Sequence, residues 1–309
     1  MACSIRASSR GPEVAVTLAT HVAAPSRRTS DLRRRWERFL SNKLSVAGLA
    51  FLAFLVATAV AGPALVERAL GLEPYKLACD ILQGPGAAHP LGCDELGRDV
   101  LARLLVGGRI SLFVGILVAV IVTVLGLVIG AVAGFFGGAV DNLLMRFTDT
   151  MLAMPTFFIV LAAAALLGPS LLNTVIIIGA THWMGTARLI RSEFLSLRER
   201  EFVTAARASG AGNFRIIVHI LRNVTATLTV SATLAVASGV LTESALSFLG
   251  LGTQPPDASW GYMLSSAQNY IWVNPMLGVY PGLLIMLTVL AVNFVGEGIR
   301  DALDPRLTR

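Results

Sequence analysis

The chain alternates long apolar stretches with short polar segments, a pattern that predicts helices crossing a membrane. A helix needs about 20 apolar residues to span a bilayer. Stretches of that length lie near 45–66, 109–134, 146–167, 171–190, 225–249 and 277–297. The predicted fold class is therefore an all-α integral membrane protein with six transmembrane helices in a lipid bilayer.

The composition excludes a soluble globular domain. The chain has 309 residues, of which 55% are hydrophobic and 14% are charged, and its mean hydropathy is +0.71. Soluble domains carry about 25% charged residues. The formal net charge of +6 would favour anionic partners in a soluble protein, but in a membrane protein the positions of the charges matter more than their sum. No nucleic-acid partner is expected.

The basic residues predict which segments face the cytoplasm. Residues 1–43 contain nine Lys and Arg, segment 191–224 is rich in Arg, and loop 250–276 contains neither Lys nor Arg. Basic flanks stay on the cytoplasmic side. We therefore expect both termini and 191–224 to lie inside, and 67–108 and 250–276 to lie outside, although 67–108 also carries four basic residues.

Two local features predict how the spans pack and bend. Glycines recur every four residues along one face of the second span, at Gly126, Gly130, Gly134 and Gly138. Such a face lets another helix approach closely. Pro155 lies within the third span and is expected to bend it, because proline cannot donate the helical hydrogen bond.

The polar segment 191–224 predicts two short helices joined by a turn. Residues at helical spacing form a narrow face in its first half: Phe202, Ala205, Ala206 and Ser209. Gly210 is suited to end that helix in a left-handed cap. A second short helix is expected to begin with Asn213 as its N-cap. An ordinary polar loop and a DNA-binding helix-turn-helix are the alternatives, and the flanking spans argue against DNA.

These residues resemble a known motif. Glu201, Ala205, Ala206, Gly210 and Asn223 resemble the Glu-Ala-Ala loop of ATP-binding-cassette importer permeases. In that family the loop inserts into a groove on the cytoplasmic ATPase subunit. The resemblance therefore implies that these five residues couple the membrane part to the ATPase. Arg222 departs from the pattern, which usually has Pro before the Asn.

Further segments extend the resemblance across most of residues 40–309. They lie at 89–100, 246–252, 255–261 and 300–306 and are similar to the C-type permease subunit of importers for dipeptides, oligopeptides and nickel. The resemblance implies a bacterial inner-membrane protein that pairs with a homologous permease. It also implies two cytoplasmic ATPase subunits and an extracytoplasmic solute-binding protein. The solute, whether a dipeptide, oligopeptide, glutathione-like peptide or nickel chelate, stays open.

This topology and resemblance divide the chain into parts. Residues 1–43 form a basic cytoplasmic tail, and 44–108 hold the first transmembrane helix and a periplasmic loop. A five-helix transport core occupies 109–298 and includes the coupling loop 191–224. Residues 299–309 form the second cytoplasmic tail.

The chain carries no phosphate-binding loop of the GxxxxGKS type. We therefore expect no cofactor in this chain, no enzymatic activity of its own, and ATP with Mg²⁺ in the partner ATPases. Two other classes are weighed against the importer. An ion-coupled secondary carrier would need several ionisable residues near the midplane, and a non-transporting membrane scaffold would need no ATPase.

Glu243 is the notable ionisable residue within a span. Carboxylates in lipid are costly and usually face a cavity or a partner. One interpretation places Glu243 on the translocation path. The other gives it a local structural role, bonding Thr242, Ser244 or a neighbouring helix.

The three cysteines are Cys3, Cys79 and Cys93. Cys79 and Cys93 fall in one predicted outside loop, where a disulfide and two unpaired thiols are both open interpretations. No metal site is predicted, because the sequence has no CxxC pattern and the histidines His89, His182 and His219 are scattered.

Overall fold

The structure is a computed structural model that describes residues 28–303, and every regular element in that range is an α-helix. In chain order the helices are α1 (Arg28–Ser41), α2 (Lys43–Leu70), α3 (Val100–Phe136), α4 (Gly138–Ala153), α5 (Thr156–Leu167), α6 (Leu171–His182), α7 (Met184–Leu197), α8 (Glu201–Ala208), α9 (Asn213–Phe248), α10 (Trp260–Gln268) and α11 (Met276–Leu303). Of the predicted tails, 1–43 and 299–309, residues 1–27 and 304–309 lie outside the described residues.

Four helices are long and apolar enough to cross a membrane: α2, α3, α9 and α11. A fifth span results if α4 and α5 count as one, with an 84° bend between them. The multi-pass all-α architecture is thus confirmed, with four spans among the described residues or five if the bent pair counts as one, and the count of six stays a prediction. The predicted third span, 146–167, begins earlier, at Gly138 in α4, and the helix is interrupted at Met154 and Pro155. The predicted bend at Pro155 is confirmed.

Other boundaries also differ from the prediction. The fourth apolar stretch forms two helices, α6 and α7, which meet at Trp183, and α7 continues to Leu197 beyond the predicted end at 190. The connection between α2 and α3, residues 71–99, is shorter than the predicted 67–108, since α3 already begins at Val100, where the Asp99 carboxylate accepts a hydrogen bond from Ala102 N at 2.8 Å. We term it the outer connection, because the sequence predicts that it lies outside.

The second short helix of the predicted pair is not a separate element. One helix, α9, runs without interruption from Asn213 to Phe248, and its N-cap is Gly212 rather than Asn213. Arg222 stands where a proline would have interrupted the hydrogen-bond ladder. The charged residues of this stretch change its exposure but do not end the helix.

The core is built around α3, which packs along α7 and α9, while α11 packs along α9 and α2. Three glycines of the predicted face lie directly against α7. A Cβ at Gly130 would stand 2.4 Å from the Ala187 carbonyl oxygen, and a Cβ at Gly126 or Gly134 would stand 2.6 Å from Cβ of Thr186 or Phe194, respectively. The close helix approach predicted from the glycine repeat is confirmed at these positions, whereas Gly138 has nothing within 4 Å.

Candidate functional site

The short helix α8 is shaped by signals at both of its ends. Arg200 is its N-cap, with extended backbone, and Glu201 places a carboxylate in the first turn, where the helix dipole favours an anion. At the other end Gly210 has φ +77. Gly210 N donates to Arg207 O at 2.9 Å, and Ala211 N donates to Ala206 O at 3.0 Å. This pair of bonds is a Schellman motif, so the predicted left-handed cap is confirmed.

One side of α8 is anchored in the protein. Val203 is fully buried in a group of side chains that we term the anchor cluster: Phe135, Ile190, Phe194, Val203, Ile216, Ile220 and Val224. Its members come from α3, α7, α8 and α9. Ala206 packs against the same cluster. The small-residue face is thereby corrected: Ala206 belongs to the inward side, because it lies one turn after Val203.

The opposite side of α8 is exposed. Phe202 is 39% exposed, and Ala205, Ser209 and Gly210 are also exposed. A Cβ placed on Gly210 would meet nothing within 4 Å. The exposed surface of α8 therefore combines small residues with Phe202 and the charged side chains of Glu201 and Arg207, and it is open to a partner.

Polar contacts tie the residues before α8 to the long helices. Arg198 Nη1 donates to the Gly134 carbonyl at the end of α3, at 3.3 Å. Arg191 Nη2 donates to Asp141 Oδ2 of α4 at 2.6 Å. These bonds, with the anchor cluster, fix α8 to the ends of several helices at once.

The structure places four of the five motif residues on one short element. Glu201, Ala205, Ala206 and Gly210 lie on α8 or its cap. Asn223 lies apart, on α9, where its side-chain nitrogen donates to the His219 carbonyl of the same helix at 3.0 Å. Its exposed side chain is thus engaged with its own helix.

Glu243 is completely buried within the chain. Its carboxylate accepts bonds from Ser247 Oγ at 2.7 Å, Ser111 Oγ at 3.2 Å and Thr253 Oγ1 at 3.4 Å. Ser111 Oγ in turn accepts a hydrogen bond from Trp260 N at 3.2 Å. The network joins α3, α9, α10 and the segment between them, which is the local structural role weighed above. The translocation role of Glu243 stays a prediction.

A cavity lined by both polar and apolar residues lies elsewhere among the helices. It has a volume of about 270 Å³, and its polar lining comes from His182, Thr186, Ser231 and Ser238. Polar side chains at membrane depth rarely face lipid. This face of α6, α7 and α9 is therefore suited to water or a polar partner. Sequence reasoning missed it: the spacing of Ser231 to Ser238 places that pair on one face of α9, but His182 and Thr186 lie on different helices, α6 and α7.

The outer connection, residues 71–99, carries both cysteines of the predicted pair. Cys79 and Cys93 are joined by a disulfide, with their Cα atoms 6.4 Å apart. Tyr75 extends from this connection towards the segment between α9 and α10, where its hydroxyl donates a hydrogen bond to Asp257 Oδ1 at 3.4 Å. Partial burial and this carboxylate raise the pKa of Tyr75.

The structure also brings His89 beside the two cysteines, although the histidines are scattered in the sequence. The ligand atoms of Cys79, His89 and Cys93 all lie within 4.8 Å of one another. The sequence does not predict this contact, because the contact forms in a connection that has no helical periodicity.

Comparison with known proteins matches two family descriptions. Residues 126–309 match the binding-protein-dependent transport system inner membrane component, and residues 30–85 match the N-terminal transmembrane domain of oligopeptide transport permease C. The chain therefore belongs to the family of binding-protein-dependent transport system inner membrane components. It is a transmembrane permease subunit of an ATP-binding-cassette importer, a transport component rather than an enzyme.

Individual relatives agree over most of the chain. The dipeptide transport system permease of Alkalihalophilus pseudofirmus is 40% identical over 280 residues, covering 90% of this chain and 91% of the relative. The di/tripeptide transport system permease of Pseudomonas aeruginosa is 41% identical, covering 90% and 93%. The nickel transport system permease of Escherichia coli strain K12 is 41% identical, covering 73% and 82%. The resemblance inferred from sequence segments is confirmed.

Proposed function

We propose that this permease imports peptides or a related small solute. Its partners are a homologous permease, two cytoplasmic ATPase subunits that bind ATP and Mg²⁺, and an extracytoplasmic solute-binding protein. The names of the dipeptide and di/tripeptide relatives support the solute class. The nickel permease at similar identity keeps a metal chelate as the alternative solute.

The proposed topology has six spans with both termini in the cytoplasm. The spans are α2, α3, the bent pair α4–α5, the pair α6–α7, α9 and α11. With 12 residues, α6 covers only about 18 Å at 1.5 Å per residue, so it needs the start of α7 to complete a crossing. The arginines of 191–224 and the absence of Lys and Arg from 250–276 support this orientation. Residues 109–298 then form the transport core.

We propose that α8 and its Gly210 cap are the coupling element that docks on the ATPase. The observation that carries this proposal is the two-sided construction of α8. Val203 fixes one side in the anchor cluster, and Phe202, Ala205 and Ser209 leave the other side exposed. A displacement imposed on the exposed side would pass through packed side chains into α3, α7 and α9.

The solute path is proposed to run along the cavity face of α7 and α9, with the homologous permease closing it. Its polar lining, from His182, Thr186, Ser231 and Ser238, offers hydrogen bonds to a peptide backbone. Glu243 then supports the path from behind, by fixing α3 against α9 and α10, without touching the solute.

Thiol-to-lysine cross-linking tests the docking surface. Ala205→Cys, in a Cys3→Ser background with the native Cys79–Cys93 pair retained, is expected to form a cross-link to an ATPase subunit in a complex that still transports. Val203→Cys is the matched control, because its buried side chain faces the anchor cluster and is expected not to react. A transport-competent complex in which Ala205→Cys forms no ATPase adduct would contradict the proposal.

A further inference from the structure

We propose that Cys79, Cys93 and His89 form a redox-dependent metal site. In this proposal the two cysteines bind a thiophilic divalent cation, Zn²⁺, when they are reduced, and release it when they form the disulfide. Asp99 acts as the positioning residue that holds His89. The site lies in the outer connection, away from the cavity and from α8.

The donor set suits this ion. Zn²⁺ binds thiolate sulfur at about 2.3 Å and imidazole nitrogen at about 2.0–2.1 Å, usually in tetrahedral geometry. Ligand atoms of one such ion therefore lie about 3.3–3.8 Å apart. The corresponding atoms of the three residues already lie within 4.8 Å of one another, so side-chain rotation can complete the geometry. A water molecule would occupy the fourth position.

Asp99 prepares the histidine for coordination. His89 Nδ1 lies 2.9 Å from Asp99 Oδ2, which leaves Nε2 as the nitrogen available to an ion. The other carboxylate oxygen of Asp99 accepts a hydrogen bond from Ala102 N at 2.8 Å, and Asp99 is fully buried. Zinc-binding histidines characteristically donate their second nitrogen to a carboxylate fixed in this manner.

The backbone holds the cysteines near each other without the help of the disulfide. Cys93 N donates to Gln83 O at 2.8 Å, and Cys79 N donates to Gly97 O at 3.3 Å. Cys93 also forms an antiparallel bridge with Asp99. A Cβ at Gly97 would meet the Cys79 carbonyl oxygen at 2.4 Å, which shows how closely these two segments approach. Reduced thiols therefore stay within reach of one ion.

The chemical balance needs a dithiol reductant. Reduction breaks the sulfur–sulfur bond, adds two electrons and two protons to the cysteines, and converts the reductant to its own disulfide. Zn²⁺ then displaces the two thiol protons, because the thiolate is the metal ligand. In the reverse step a disulfide oxidant accepts two electrons from the two thiolates and takes up two protons to become a dithiol, which restores the Cys79–Cys93 disulfide and expels the ion. The two states exclude each other.

Zinc binding by the full chain in its assembled complex tests the proposal. The complex is prepared oxidised, or reduced with a phosphine without oxygen, then given Zn²⁺ alone, desalted and analysed for metal. Because Cys3 could contribute a thiol, the chain carries Cys3→Ser in both samples. We expect the reduced sample to hold one more Zn²⁺ per chain than the oxidised sample. Equal zinc in the two samples would overturn the proposal.

Variants assign the ligands in the reduced sample. Cys79→Ser and His89→Gln are each expected to weaken zinc binding at least tenfold, and Asp99→Asn by about 10–100-fold. His219→Gln, an exposed histidine on α9, is the matched control and is expected to bind normally. Co²⁺ in place of Zn²⁺ should give thiolate charge-transfer absorption that Cys79→Ser diminishes. Undiminished binding by Cys79→Ser or His89→Gln would also contradict the proposal.

Discussion

The outer connection 71–99 and the α8 segment, residues 198–212, each join two helices, and they are built in opposite ways. The outer connection satisfies its own polar groups in its interior. Asp94 accepts from Arg98 Nε at 2.7 Å and lies 3.3 Å from Arg103 Nε, and all three side chains are nearly inaccessible. By contrast, α8 buries Val203 and leaves most of its other side chains exposed.

This difference indicates which of the two segments finds partners for its polar groups within the chain. A buried network of charges is stable only when every member is paired, so the outer connection is a self-contained support for the start of α3. The α8 segment has a single fully buried anchor, Val203, and an open surface of small, aromatic and charged residues. Changes in the outer connection should therefore act first on stability, and changes on the exposed side of α8 should act first on coupling.

The largest effect is expected from Asp94→Asn. This change removes the carboxylate that Arg98 and Arg103 share. Arg98 keeps Glu95 as a partner at 3.2 Å, but the buried Arg103 loses its ion-pair partner, and breaking a buried pair in this way costs about 3–5 kcal/mol. The unfolding transition of the purified protein in detergent should therefore occur under milder denaturing conditions, by an amount that corresponds to this loss of stability. Glu73→Gln is the control, because its ion pair with Lys76 is exposed and its loss should leave the transition unchanged. Equal transitions for the two variants would refute the claim that the outer network is structural.

Reduction of the outer disulfide is expected to have the next largest effect. Protein isolated without reductants should yield a peptide that links Cys79 to Cys93 by mass spectrometry. Closing a loop of this size stabilises a protein by about 3 kcal/mol in the chain-entropy model, so reduction in metal-free buffer should lower the unfolding free energy by up to that amount. Free thiols at both positions in unreduced protein would contradict this prediction.

Two adjacent residues of α8 sharpen the comparison further. Val203→Ala removes two buried methyl groups and should cost about 1–3 kcal/mol of stability. Phe202→Ala, on the exposed side, should leave the unfolding transition unchanged but weaken ATPase attachment about tenfold, as expected for an aromatic residue at an interface. Unfolding and ATPase co-purification measured on both variants distinguish these effects. Loss of stability in Phe202→Ala alone would reverse our assignment of the two sides.

The smallest structural effect is expected at Glu201. Glu201→Lys reverses an exposed charge at the start of α8, where the helix dipole favours an anion, and should hardly move the unfolding transition. Solute-stimulated ATPase activity should nevertheless fall several-fold, and Glu201→Gln should lie between the wild type and Glu201→Lys. A Glu201→Gln variant with full coupling would reduce Glu201 to a helix-capping residue.

The sequence predicted the elements that depend on local rules. Long apolar runs located α2, α3, α9 and α11, Pro155 located the bend, and Gly210 located the left-handed cap. The second short helix was wrong because the polar segment 191–224 was treated as separate from the apolar span that follows it, whereas one helix runs through both. Charges determine which part of a helix leaves the membrane, but they do not break its hydrogen bonds.

The parts that escaped prediction depend on contacts between distant segments. Helical spacing places Phe202, Ala205 and Ala206 along one stripe, but it does not say which edge of the stripe packs inward. Only the position of Val203 in the anchor cluster decides that. The proximity of His89 to Cys79 and Cys93 likewise follows from how an irregular connection folds back, for which sequence offers no periodic signal.

The most direct test of the central claim, that α8 couples the permease to its ATPase, is Gly210→Val. A β-branched residue at φ +77 is strained by about 1–2 kcal/mol, and the change also adds bulk to the exposed surface. Gly210→Asn, which tolerates the left-handed conformation, and Gly212→Ala, at a position with negative φ and open space, are the matched controls.

The measurement is ATPase activity stimulated by the solute-loaded binding protein, together with solute uptake, in the reconstituted complex. We predict that Gly210→Val abolishes uptake and leaves ATP hydrolysis unresponsive to the loaded binding protein. Gly212→Ala should behave as wild type, and Gly210→Asn should retain most of the coupling. Wild-type stimulation and uptake in a fully assembled Gly210→Val complex would contradict the account.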